Sequence, residues 1–130
     1  MSTLTLTERS SPAVSVVICT WNRCRLLRLT LEQMTHLEIP SGVDWELIVV
    51  NNNCSDATEL VLDEFQNRLP LVRLQESRPG KSYAANLAVG VAKGEYIIWT
   101  DDDVLVEPDW IKSYLEAFAE WQTHQSLPDL

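Results

Sequence analysis

The chain has 130 residues and a mass of 14.8 kDa, which favours one domain built around one core over a two-domain enzyme. Ten Lys and Arg against 19 Asp and Glu give a formal charge of −9, which argues against phosphate-backbone binding as the main role; no nucleic-acid partner is expected. With 45% hydrophobic and 22% charged residues, the composition is neither that of a disordered acidic tail nor that of a fibrous repeat.

Residues 1–12 are polar, with neither a basic start nor an apolar stretch, so they read as a disordered N-terminal tail and not as a secretion signal. The apolar runs Val14–Cys19, Leu47–Val50 and Tyr96–Trp99 are far shorter than the roughly 20 residues a membrane span needs, so no transmembrane segment is expected. Cys19, Cys24 and Cys54 form no CxxC pair and are expected to be reduced, Cys19 as a small core residue. The expected address is cytoplasmic.

From Ala13 to Cys19 a β-branched apolar run predicts a strand buried on both faces. Leu27, Leu31 and Met34 then recur at helical spacing, and Ile39-Pro40-Ser41-Gly42 ends that helix. Trp45–Val50 predicts a second strand. Asp56 can cap a second helix, with Glu59 three residues on and Leu60, Val61, Phe65 and Leu69 along its apolar side. Leu71–Leu74 reads as a third strand and 75–81 as a polar loop. Ser82 can cap a third helix, which turns Tyr83, Leu87 and Val91 inward and ends at Lys93-Gly94. Glu95–Thr100 predicts the fourth strand. Pro108 suits the first turn of a last helix whose face is Ile111, Tyr114, Leu115, Phe118 and Trp121; residues 122–130 read as a frayed tail.

Strands alternating with helices predict an α/β fold, a Rossmann-like, mainly parallel sheet with helices on both faces. Ligands of such sheets bind beyond the carboxyl ends of the strands, where strand order reverses. Thr20-Trp21-Asn22, Asn51-Asn52-Asn53 and Asp101-Asp102-Asp103 should therefore meet in one crevice. Three carboxylates after an apolar strand repel one another, by about 1 kcal/mol per pair at 4 Å in water and about 4 at an effective dielectric of 20. A divalent cation removes that conflict, and hard oxygen ligands suit Mg²⁺ or Mn²⁺; a solvated acidic turn is the alternative. If the strand continues, Asp101 and Asp103 point to one side and Asp102 to the other. Trp21 offers a face for a stacked base, or else fills the core. Asn51, Asn52 and Asn53 can read a base edge or a ribose hydroxyl, or else form a polar turn. Arg78 and Lys81 can face a diphosphate, or else lie in a solvated loop. Gly80-Lys81-Ser82 is not a P-loop, because Gln75 stands where its first glycine is required. His36 and His124 have no matching serine or cysteine signature.

Four segments in this order, Val14–Arg23, Leu47–Asp56, Gly80-Lys81-Ser82 with Asn86, and Gly94-Glu95-Tyr96 through Asp101-Asp102-Asp103, resemble the family 2 glycosyltransferases over residues 13–121. The resemblance implies a GT-A fold, a nucleotide-diphospho-sugar donor, most often a UDP-sugar, and metal-assisted, inverting transfer to an acceptor that the sequence does not name. It places Thr20 and Trp21 in the base pocket, and Asn52 where a carboxylate often reads uracil. Asp101–Asp103 match the DxD motif, whose last carboxylate binds the metal and a preceding one approaches the ribose. Cys19 departs from a usual proline and Asn51 from a common aspartate.

Members of that family continue past the DxD segment into an acceptor-binding half that carries the catalytic base. Glu107, Asp109, Glu116 and Glu120 match no such base, so residues 13–121 are expected to form a donor-binding domain without its C-terminal acceptor half. A homo-oligomer or partner covering that side is expected with it. Two further readings remain: a non-catalytic nucleotide-sugar-binding module, and a haloacid-dehalogenase-like phosphatase built on Asp101-x-Asp103.

Overall fold

A computed structural model describes residues 12–125. Strands and helices alternate as β1 (Val14–Thr20), α1 (Cys24–Met34), β2 (Trp45–Asn52), α2 (Thr58–Phe65), β3 (Leu71–Glu76), α3 (Lys81–Val91), β4 (Tyr96–Asp101) and α4 (Trp110–Gln125). The strands pair in parallel in the order β3-β2-β1-β4, with Val16 level with Leu47 on one side and Ile98 on the other. The chain builds outward from β1 to β3 and then crosses back to lay β4 on the free side of β1. That reversal opens a crevice beyond the carboxyl ends of β1 and β4.

Period-two alternation divides the core into two layers. Val14, Val16, Ile18, Leu47 and Val49 pack with Leu27, Leu31, Leu62, Phe65 and Ile111 of α1, α2 and α4, whereas Val17, Ile48 and Val50 meet Ala84 and Ala88 of α3. Helices thus cover both faces, as the alternation predicts. Truncating a fully buried Leu31 or Phe65 to alanine would cost about 2–5 kcal/mol.

Several local expectations are corrected. The buried stripe of α3 is Ala84 and Ala88, with Tyr83 outside, because two methyl-sized residues let the helix lie close on the sheet. In α2, Leu62 is inside and Leu60 outside. In the sheet formed by the described residues β4 lies at an edge, and Trp99 is 47% exposed, so the carboxylates follow a half-open strand, not a buried one. Gly80, with φ of 126°, precedes α3 where Ser82 was expected as the cap. Pro108 lies in the turn before α4, where its carbonyl accepts the Glu38 N–H at 2.8 Å. The helix α4 continues through residues 122–125, expected as frayed; the rest of that tail and residues 1–11 lie outside the described residues.

Gly94 does not serve as a helix-ending glycine. A Cβ there would stand 2.5 Å from the Ser15 nitrogen, so the residue is glycine because β1 passes too close for any side chain. The buried Ser15 hydroxyl accepts the Gly94 N–H at 2.8 Å and donates to Glu46 at 2.6 Å; Glu46 also accepts the Lys93 N–H at 2.8 Å. This brace fastens the amino-terminal rim of the sheet.

Candidate functional site

At the opposite rim the expected crevice is present as a pocket of about 590 Å³, within the usual range for small-ligand sites. Thr20 and Trp21 come from the end of β1, Asn52 from β2, Gly80 and Lys81 from the start of α3, and all three aspartates from the end of β4. Cys19 and Arg23 complete its wall with Pro79.

The aspartates divide by burial. β4 ends at Asp101 and the chain turns at once, so the strand alternation expected for them stops there. Asp102 is 5% exposed and fixed: the Thr20 hydroxyl donates to its Oδ2 at 2.8 Å, and the Thr30 hydroxyl of α1 donates to its carbonyl at 2.7 Å. Asp101 and Asp103 are exposed to the pocket, and each faces a cation. Lys81 Nζ lies 3.4 Å from Asp101 Oδ1, and Arg23 Nη1 donates to Asp103 Oδ2 at 3.0 Å while standing 3.5 Å from Asp102 Oδ1. Pairs this exposed are worth about 0–1 kcal/mol each, so a ligand of higher charge can displace them.

Among the described residues no three His, Cys, Asp or Glu side chains converge into a metal cage. The donor set fits a different arrangement. Two exposed carboxylates supply hard oxygens on one wall, and an ion held by Asp101 and Asp103 would keep its remaining positions for water or phosphate oxygens, as Mg²⁺ and Mn²⁺ prefer.

Trp21 is 61% exposed at the pocket wall, so it is not a core residue. Asn52 lines the pocket with its amide already engaged: it donates to the carbonyls of Glu76 at 3.2 Å and Arg78 at 2.8 Å, and accepts the Gly80 N–H at 3.2 Å. It therefore shapes the loop before α3. Asn22, Asn51 and Asn53 stand outside the pocket lining. Asn22, with φ of 52°, accepts the Ser55 N–H at 2.7 Å, and Asn51 bridges Glu59 at 2.6 Å and the Cys54 N–H at 2.9 Å. Asn53 takes an exposed left-handed turn with φ of 62°, a conformation asparagine tolerates. Asp56 ties the two loops together by accepting the Cys24 N–H at 3.0 Å and the Thr58 N–H at 3.1 Å, so it fastens α1 as well as α2.

Arg78 also lies outside the lining. Its guanidinium makes two 3.0 Å bonds to Glu76 and sits 4.3 Å from the Tyr83 ring centre, so its charge is spent on that neighbour and not on the pocket. Those side-chain bonds, with the Arg78 N–H, pull the Glu76 carboxyl down to about 2, against an opposing effect of burial. Cys19 is half-buried on the wall instead of inside the core; burial pushes its thiol up, Lys81 draws it down and Asp101 raises it, with burial dominant. Such a thiol stays protonated and inert at neutral pH.

Arg23 and Thr30 were not singled out from the sequence. Thr30 gives no signal, since a threonine on an apolar helix face reads as packing. Arg23 gives one: a cation stands at the start of a helix, where the peptide dipoles favour an anion.

A model of Glycosyl transferase family 2 matches residues 15–127. Chondroitin synthase of Escherichia coli is 30% identical over 108 residues, 82% of this chain and 16% of that protein. Validoxylamine A glucosyltransferase of Streptomyces hygroscopicus is 32% identical over 114 residues, covering 83% of this chain and 26% of that one. Among solved structures, S. aureus TarS 1-349 is similar at a TM-score of 0.75 and 23% identity, over 82% of this chain and 32% of that one. The mannosyltransferase PcManGT of Pyrobaculum calidifontis, solved with GDP-Man and Mn²⁺, is similar at a TM-score of 0.75 and 27% identity, over 84% of this chain and 33% of that one. The chain spans only about a sixth to a third of the length of the curated relatives first matched. The fold is that of the GT-A glycosyltransferases, and the chain belongs to glycosyl transferase family 2.

Proposed function

We propose that the pocket binds a nucleotide-diphospho-sugar together with Mn²⁺ or Mg²⁺ and presents the sugar for inverting transfer to an acceptor. The observation that carries this is the meeting of Trp21, Lys81 and the three aspartates in one pocket at the switch point of a family 2 sheet. In this reading Trp21 stacks on the base, Thr20 and Asp102 form the fixed wall beside the ribose, and Asp101 and Asp103 hold the cation, which neutralises the diphosphate leaving group. Lys81, at the start of α3, supplies a further positive charge to that diphosphate. Residues 13–121 form the donor-binding domain, and a cytoplasmic location fits the supply of such donors.

UDP is the proposed nucleotide, on the resemblance of Thr20, Trp21 and Asn52 to a uracil pocket. PcManGT was solved with GDP-Man and a TarS structure with UDP-GlcNAc, so both bases belong in the test. Titration calorimetry with Mn²⁺ present should show UDP binding more tightly than GDP, and Asp103→Ala should remove the metal-dependent part of the affinity. Equal affinities would reject the uracil assignment, and no binding of either would reject the pocket.

A second reading has its own observation. Among the described residues, no carboxylate besides the three aspartates lines the pocket, and Glu107, Asp109, Glu116 and Glu120 stand outside it. A missing general base removes a contribution of typically 10²–10⁴-fold. We therefore infer that these residues alone bind and orient the donor, and that turnover needs a base from elsewhere. Membership of family 2 removes the phosphatase alternative.

A further inference from the structure

Arg23 breaks a local rule. It occupies the cap position of α1, where Ser, Thr, Asp or Asn is preferred and where the helix dipole disfavours a cation. Its side chain caps nothing. The guanidinium reaches instead across the pocket rim to the loop after β4, donating to Asp103 at 3.0 Å and lying 3.5 Å from Asp102. These two carboxylates are unlike each other. Asp102 is held by Thr20 and cannot follow Arg23 if it moves, whereas Asp103 is free to leave it. The arginine itself is 52% exposed, on a flexible stem. A side chain bridging one fixed and one free anion can release the free one without becoming unpaired.

Resting on the reading of the pocket as a cation and diphosphate site, we propose that Arg23 is a positioning residue that couples cation binding to nucleotide binding. In the nucleotide-free protein it occupies Asp103, so a cation must displace it and then bear the repulsion of a neighbouring guanidinium. When a diphosphate is present, Arg23 exchanges the Asp103 carboxylate for phosphate oxygens, which its planar fork matches in geometry and charge. The carboxylate is freed as the second anion arrives. Each ligand then strengthens the other by the same factor, as linkage requires.

The test is a set of Mn²⁺ titrations followed by electron paramagnetic resonance, with and without UDP. Arg23→Gln should bind Mn²⁺ alone about two- to fivefold more tightly than the native chain, the worth of one exposed ion pair. UDP should then improve its Mn²⁺ affinity less than it improves that of the native chain. Lys93→Gln, which removes the same charge at the opposite rim, sets the baseline for a general charge effect. Mn²⁺ affinity in Arg23→Gln equal to that of Lys93→Gln, with native coupling to UDP, would overturn the proposal. Arg23→Lys keeps the charge without the fork, and decides the matter if the glutamine variant does not fold. It should bind Mn²⁺ alone as the native chain does, yet couple more weakly to UDP; native coupling would also overturn the proposal. If the native chain binds neither Mn²⁺ nor UDP, the reading of the pocket has failed, and the role of Arg23 with it.

Discussion

Individual side chains at the carboxyl rim divide into those that hold the loops and those that face the pocket. Glu76 belongs to the first group, and its ionisation has a readable consequence. Its folded-state value of about 2 lies below the ordinary 4.5, so the bonds from Arg78 stabilise the fold fully above pH 4.5. That contribution is lost as the pH falls from 4.5 towards about 2. Glu76→Gln should therefore be less stable than the native chain at pH 7 and approach it in stability at pH 2–3, as measured by urea denaturation at each pH. A constant difference across that range would show that the carboxylate charge is not what matters. The sequence offered Arg78 as a diphosphate ligand because a cation beside Pro79-Gly80 reads as loop chemistry. An acidic partner two residues earlier was visible, but whether a side chain turns back to its neighbour or outward to a ligand is settled only by tertiary packing. Asn51 and Asn52 were ambiguous for a similar reason, because an amide that can read a base can equally well close a turn.

At the scale of elements, the strands and helices were legible because each strand is a short apolar block and each helix carries a 3.6-residue stripe. The sequence did not show which strand lies at an edge. Tyr96–Trp99 has the same apolar character whether or not a neighbour pairs with it, and only the order β3-β2-β1-β4 reveals that, among the described residues, β4 lies at the edge of the sheet. The sequence also pointed to the wrong role for Gly94, because a helix-ending glycine and a glycine of close approach have the same spelling. The distinction makes a prediction. Gly94→Ala would push a methyl group into the backbone of Val14 and Ser15 and disturb the Ser15–Glu46 brace. Thermal unfolding should show a loss of about 1–3 kcal/mol, the usual cost of overpacking. Gly42→Ala, at a φ of 79° with open space around it, is the contrasting case: any loss there comes from backbone strain alone.

For the whole molecule, the division of labour between the two rims matters most. The amino-terminal rim is braced by buried side chains, and the carboxyl rim carries the pocket, with exposed Trp21 on its wall and cations poised against carboxylates. A ligand that binds only the folded state stabilises the whole chain by mass action. UDP at a hundredfold excess over its dissociation constant, with saturating Mn²⁺, should add about 2.7 kcal/mol to the unfolding free energy. Asp103→Ala should fold as the native chain does in the absence of ligand, since that carboxylate is exposed and makes only a surface pair, and should lose the Mn²⁺-dependent part of the increment. The net charge of −9 gives this dependence a physical basis, because an anionic nucleotide approaching an acidic protein needs local positive charge.

The threefold engagement of the Asn52 amide carries a last implication. A base that sought a donor from this amide would first have to detach it from the strand end and from the segment leading into α3, because both of its N–H donors are already engaged. Discrimination between nucleobases at that position would then include the cost of breaking that latch, so a base has to match the lost hydrogen bonds as well as fit the space.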